Sequence, residues 1–134
     1  MIVKVTYKGD LRTEALHVAT GKVLEMDAPK DNEGKGECFS PTDLVAGSTA
    51  ACMLTIMGIY ARRHGLDLSG ASVSVEKIMG TNPRRIVEIK LNFDFTNSKD
   101  ISAVHRQILE RTALDCPVSR SLHPDLKQTL VFNW

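Results

Sequence analysis

Cysteine, histidine pairs and an excess of either charge are what this sequence has least of. The three cysteines, Cys38, Cys52 and Cys116, are an odd and sparse set among 134 residues. That argues against the dense disulfide frameworks of small secreted domains and favours free thiols in a reducing cytoplasm. No Cys-x-x-Cys or His-x-x-x-His spacing occurs, and His17, His64, His105 and His123 are scattered, so neither a metal nor another cofactor is expected. With 17 basic and 16 acidic residues interspersed, the net charge is +1. There is no basic stripe and no aromatic-basic interleaving, which makes nucleic acid and anionic membranes poor partners. Gly34 and Gly36 form only a short G-x-G without the strand-to-helix setting of a phosphate cradle. No nucleophile elbow surrounds any serine. The opening MIVKVTYKGD alternates from its first residue and lacks the apolar core of a signal peptide.

What is present reads as one domain over residues 1–134, long enough to bury roughly two-thirds of its unfolded surface. Residues 2–7 place Val3, Val5 and Tyr7 on one face of a strand. Strand-like runs at 13–19 and 22–27 flank Thr20-Gly21, a tight hairpin turn in prospect, with Leu16 and Val18 facing Leu24 and Met26. The aperiodic APKDNEGKGECF that follows is longer than a plain turn, and loops of that length are often functional. Residues 72–79 and 84–95 alternate cleanly around a GTNP connector, giving Val87, Ile89, Leu91, Phe93 and Phe95 one continuous apolar face. An amphipathic helix over 99–114 carries Ile101, Val104, Ile108 and Leu109. A helical turn to about Leu122 and a last strand over 127–134 complete the chain. These elements describe an α+β fold, with antiparallel sheets around a long buried central helix.

That helix starts at Ser40-Pro41-Thr42-Asp43: a serine cap, proline at the first helical position and an acid where the dipole favours it. Arg62, Arg63 and His64 suit its negative end, and Gly65 stops it. Leu44 to Ala61 is a run of eighteen residues without a charge, the lower edge of a membrane span. Gly47, Ser48, Thr49, Thr55 and Gly58 interrupt it, and we read a buried core helix. Its apolar residues go all the way round, so it needs cover on most sides, and a second subunit is the economical source.

Cys52 lies in the middle of this helix. Taken alone it is a small hydrophobe, and burial would raise its pKa, away from nucleophilic use. Ser48, Thr49 and Thr55 could hydrogen-bond a Cys52 thiolate or could bond back to their own helix. Cys116 precedes Pro117 at a helix start, where free amides favour an anion, so its thiolate is expected to be the more accessible. Cys38, in the polar loop with no helix end or fixed charge beside it, reads as incidental.

FSPTDLVAGSTAAC (39–52) resembles the OsmC/Ohr family in placing a helix-start proline before a cysteine in a small-residue helix. DCPVSRSL (115–122) is similar to that family's second motif, a Cys-Pro-x-Ser before the final strand, and GDLRTEA (9–15) to its N-terminal arginine segment. The resemblance spans essentially the whole chain, and the cysteine pair, with 63 residues between its members, is its specific part. It implies an intertwined homodimer and a cysteine-based peroxidase acting on an organic hydroperoxide substrate. Cys52 would be the attacking thiolate, Cys116 the resolving thiol, Arg12 the cation beside the thiolate, and an external dithiol the reductant. Local environment favours Cys116 as nucleophile; the resemblance favours Cys52. Many relatives carry a glutamate just after the helix-start proline, where this chain has Thr42 and, one residue on, Asp43. At about 1.5 Å and 100° per residue, Asp43 lies on the opposite side of the helix from Cys52. Its help would have to come across a dimer or by way of Arg12. Two rival readings use the same fold: a non-catalytic dimer binding a small apolar ligand, which Thr42 favours, and a slow redox-sensing or disulfide-exchange protein.

Overall fold

The computed structural model describes residues 1–98 and 100–134. Two compact units divide the chain, Met1–Val45 and Ala46–Trp134. In the first, strands β1 (Val3–Gly9), β2 (Arg12–His17) and β3 (Val23–Asp27) form an antiparallel meander in that order. Gly9, Asp10 and Leu11 turn the chain between β1 and β2 with φ of 89°, 53° and 60°. Glycine takes such angles freely and aspartate tolerates them; Leu11 is held there by its neighbours at a local cost. This reversal delivers Arg12 as the first residue of β2, directly opposite Asp27.

The second hairpin forms at the expected place with a longer connection. The His17 amide donates to the Lys22 carbonyl at 2.8 Å, closing a four-residue loop, Val18–Gly21, in place of a two-residue turn. The resulting register sets Leu16 against Val23 and Leu24 against Ala15, so Leu16 and Leu24 point to opposite faces instead of sharing one. Val3, Val5 and Tyr7 do line one side of β1, and all three stay exposed in the single chain.

Helix α1 (Pro41–Arg63) begins where the sequence predicts. Ser40 Oγ accepts the Asp43 amide at 3.1 Å, and Asp43 Oδ2 accepts the Ser40 amide at 2.8 Å. This is a reciprocal capping box with aspartate in the usual glutamate place. At the far end Gly65 takes φ 67° and the Leu66 amide reaches back to the Ala61 carbonyl, a Schellman ending. By length and composition α1 could cross a membrane. In the fold it buries a stripe, Ala46, Thr49, Ala50, Met53, Met57 and Ala61, and leaves Val45, Gly47, Ser48, Ala51, Thr55 and Ile59 exposed. The cover expected on most sides is supplied on one.

In the second unit β4 (Ser72–Gly80), β5 (Arg85–Asp94) and β6 (Lys127–Asn133) form a sheet in that order. β4 pairs antiparallel with β5, and β6 joins β5 in parallel, so the otherwise antiparallel pattern ends in one parallel edge. Ile89, Leu91, Phe93 and Phe95 are at most 1% exposed and form the core with Met53 and Met57. Val87 departs from the expected face. A bulge between Ile78 and Met79 lets Ile86, not Val87, pack on the core. Helix α2 spans Ala103–Leu114, capped by Ser102. It starts later than the expected 99, a position outside the described residues. Leu109 and Ala113 are its buried contribution and Ile101 is buried just ahead of it, whereas Val104 and Ile108 remain exposed. The short helix α3 (Pro117–Ser121) follows Cys116.

Candidate functional site

The chemistry-bearing residues fall into two groups, one in each unit. In the second, Cys52 and Cys116 meet. Cys116 ends the α2–α3 connection as the N-cap of α3, with Pro117 at the first helical position as the sequence suggests. Its sulfur accepts the Ser119 amide at 3.4 Å and donates to the Thr49 carbonyl of α1 at 3.9 Å. Thr49 precedes Cys52 by almost one helical turn, and Cys52 packs against the core cluster that contains Cys116, near enough to shift its titration. Two thiols with 63 residues between them in the chain thus lie in one core cluster.

The expected order of accessibility is reversed. Cys116 is wholly buried, and Cys52 is half-buried. Burial pushes the Cys116 thiol up, the neighbouring Cys52 thiol adds to the shift, and the Ser119 amide opposes both. A helix of one turn has too few aligned peptides to outweigh desolvation. The cap position favours an anion at Cys116, and burial outweighs it. Thr55 settles on the bland alternative, donating its hydroxyl to the Ala51 carbonyl at 2.8 Å and so serving its own helix.

In the first unit Arg12 has carboxylate partners that the sequence reading missed. Arg12 Nη2 donates to Glu37 Oε2 at 2.5 Å and lies 3.5 Å from Asp27 Oδ2. Asp27, 1% exposed at its side chain, also accepts the Glu37 amide at 3.2 Å, tying the loop to the strand. The Glu37 hydrogen bond raises the Arg12 pKa most, with Cys38, Glu37 and Asp27 adding electrostatically and burial acting against them. Cys38 is therefore not incidental in position: it lies within electrostatic reach of Arg12 and lines an open cavity of about 530 Å³ with Glu25, Gly36, Glu37, Phe39 and Asp43. Asp43, one residue past the place where many family members carry a glutamate, is engaged in the α1 cap. A clue to Asp27 was present in the sequence: closing the hairpin on His17 and Lys22 counts Arg12 onto Asp27. Glu37 had no such signal, because an aperiodic loop carries no register.

Gly34 shapes that loop. A Cβ there would stand 1.6 Å from the Ala28 carbonyl oxygen, so the backbone approach permits glycine alone. Gly34→Ala is expected to cost about 1–3 kcal/mol through forced displacement of the loop, read as a lower urea midpoint. An unchanged midpoint would mean that the 28–34 contact is dispensable.

The model of the OsmC-like protein family matches residues 34–130, most of the chain, and the chain belongs to that family. A Psychrobacter arcticus 273-4 protein named for osmotic stress induction and a detoxification response is 45% identical, with a TM-score of 0.94 over 99% of this chain and 96% of that one. The organic hydroperoxide resistance protein OsmC of Legionella pneumophila shares the fold at 17% identity, with a TM-score of 0.77 over 100% of this chain and 98% of its own. The uncharacterized protein YmaD of Bacillus subtilis (strain 168) is 22% identical over 135 residues, 96% of this chain and 89% of that protein. The antiparallel meander, the long apolar helix and the mixed second sheet are those of this α+β family.

Proposed function

We propose that this protein is a thiol-dependent peroxidase that reduces organic hydroperoxides, with Cys52 as the attacking thiol and Cys116 as the resolving one. The observation that carries the proposal is the pairing of a half-buried Cys52 with a wholly buried Cys116. An incoming peroxide needs access to the first sulfur alone. The Cys52 thiolate attacks the outer peroxide oxygen, the O–O bond breaks, and the alcohol leaves with a proton, giving Cys52 sulfenic acid. Cys116 then displaces water to form the disulfide, and an external dithiol returns both sulfurs to thiols. The names of fold relatives as organic hydroperoxide resistance proteins support the substrate class. The apolar surface of α1 supports an alkyl chain over hydrogen peroxide.

Arg12 enters the proposal as the cation that favours the thiolate and orients the peroxide. Arg12→Ala is expected to lower the second-order rate constant for peroxide by about ten- to a hundredfold. A rate equal to wild type would remove Arg12 from the mechanism. Glu37 and Asp27 give Arg12 carboxylate partners where Thr42 offers none, which supports the peroxidase reading over a non-catalytic dimer.

The working form is proposed to be a homodimer, with the uncovered stripe of α1 against its counterpart. Placing a charge among Ala51, Thr55 and Ile59 would strand it in an apolar interface. Ala51→Glu is expected to shift sedimentation from dimer to monomer; a dimer of unchanged stability would exclude this face. The proposal as a whole is tested by treating the reduced protein with one equivalent of tert-butyl hydroperoxide and mapping the linked sulfurs by mass spectrometry. A Cys52–Cys116 link with stoichiometric alcohol is expected. A link through Cys38, or none, would overturn it.

A further inference from the structure

Helix α3, which carries the buried thiol, has five residues, too few to hold a fixed orientation by itself. Its orientation must be supplied from outside. Val118 and Leu122 pack against the core, which fixes its depth but not its rotation. Its other described side-chain bonds stay local: Arg120 pairs with Asp115, and Ser121 returns to the Pro117 carbonyl. Ser119 does something different. Its hydroxyl donates to Gln128 Oε1 at 2.6 Å, and Gln128 Nε2 donates back to the Ser119 carbonyl at 3.4 Å. Gln128 sits on β6 opposite Ile89, whose side chain is wholly buried in the sheet's core. The clasp therefore ties one residue of a marginal helix to a rigid strand.

The same Ser119 offers its amide to Cys116 Sγ at 3.4 Å. We infer that Gln128 is a positioning residue for the resolving step: by clasping Ser119 it keeps that amide aimed at the Cys116 sulfur as the sulfur closes on oxidised Cys52. This rests on the peroxidase reading and adds to it a residue that does not touch the reacting atoms. The step is Cys52–SOH plus Cys116–SH giving Cys52–S–S–Cys116 and water. The Cys116 proton leaves, negative charge builds on its sulfur, and the sulfenic oxygen departs as water. A donor held in place stabilises that charge in surroundings that otherwise disfavour it. An S–S bond of about 2.05 Å also requires the two sulfurs to close to bonding distance, and an anchored turn guides that movement.

The test separates the two chemical steps. Reduced Gln128→Ala and Ser119→Ala are mixed with tert-butyl hydroperoxide in a stopped-flow instrument, and the surviving sulfenic acid is trapped with dimedone at set times. Peroxide consumption in the first turnover is expected to stay within about twofold of wild type, while disulfide formation slows about tenfold. The pH profile of disulfide formation should move to higher pH, and Ser119→Thr, which keeps the hydroxyl, should restore both. Unchanged disulfide kinetics in both alanine variants would overturn the inference while leaving the peroxidase reading intact. A second readout needs no peroxide: the pH midpoint of Cys116 thiolate formation, read by absorbance at 240 nm in a Cys38→Ser, Cys52→Ser background, should rise in Gln128→Ala. An unmoved midpoint overturns the inference, and failure of the wild type to react with peroxide overturns only the function on which it builds.

Discussion

Replacement of Cys52 by serine is expected to reduce organic hydroperoxide consumption by about a thousandfold or more, because a serine hydroxyl is scarcely ionised at neutral pH and is a far weaker nucleophile than a thiolate. Cys116→Ser should behave differently. Its Cys52 still attacks, so about one equivalent of peroxide per chain disappears before the reaction stalls at the sulfenic acid. The contrast between no turnover and one turnover assigns the two roles, and it is read by following peroxide loss against protein concentration. Equal rates for wild type and Cys52→Ser would remove Cys52 from the chemistry. A single-turnover burst in Cys52→Ser with none in Cys116→Ser would exchange the roles, restoring the order that local sequence environment first suggested.

The largest expected effect on stability comes from Phe93→Ala. Phe93 is wholly buried and stacks on Phe132 at 4.6 Å between centroids and on Phe95 at 6.0 Å, joining β5 to β6. Removing the ring loses its burial and both ring contacts and leaves a cavity, a cost of about 3–5 kcal/mol. That is a large part of the roughly 5–15 kcal/mol by which small domains are stable. Urea unfolding followed by circular dichroism should show the drop as a lower midpoint at similar slope. A loss below about 1 kcal/mol would mean that β5 and β6 are held mainly by backbone pairing, with the aromatic stack adding little.

Much of the fold was legible because its signals are local. Ser40, Pro41 and Asp43 announce the start of α1 within four residues, and Gly65 announces its end. Strict alternation from Ile89 to Phe95 predicts the buried face of β5. The departures occur where neighbouring strands decide. Val87 obeys the alternation in sequence, yet it is the extra residue of a bulge in β5, which hands its place to Ile86. Val104 and Ile108 have helical spacing but lie on the side of α2 that the single chain leaves open.

The candidate site divides along the same line. The resemblance to the OsmC/Ohr family singles out Cys52, Cys116 and Arg12, since the segments that carry it are each written in contiguous residues. Three things needed the tertiary structure. Burial makes Cys116 the hidden thiol, and burial is a property of everything packed around a residue, not of its neighbours in the chain. Asp27 and Glu37 reach Arg12 by strand register and by a loop whose path depends on Gly34 lying against Ala28. The Ser119–Gln128 clasp joins a helix to a strand across a separation that no periodicity encodes. Covalent order determined which groups this protein carries and which helices and strands present them. Which sulfur is shielded, and which partner each charge finds, was decided by packing, because desolvation and hydrogen-bond geometry depend on distances that only the folded chain sets.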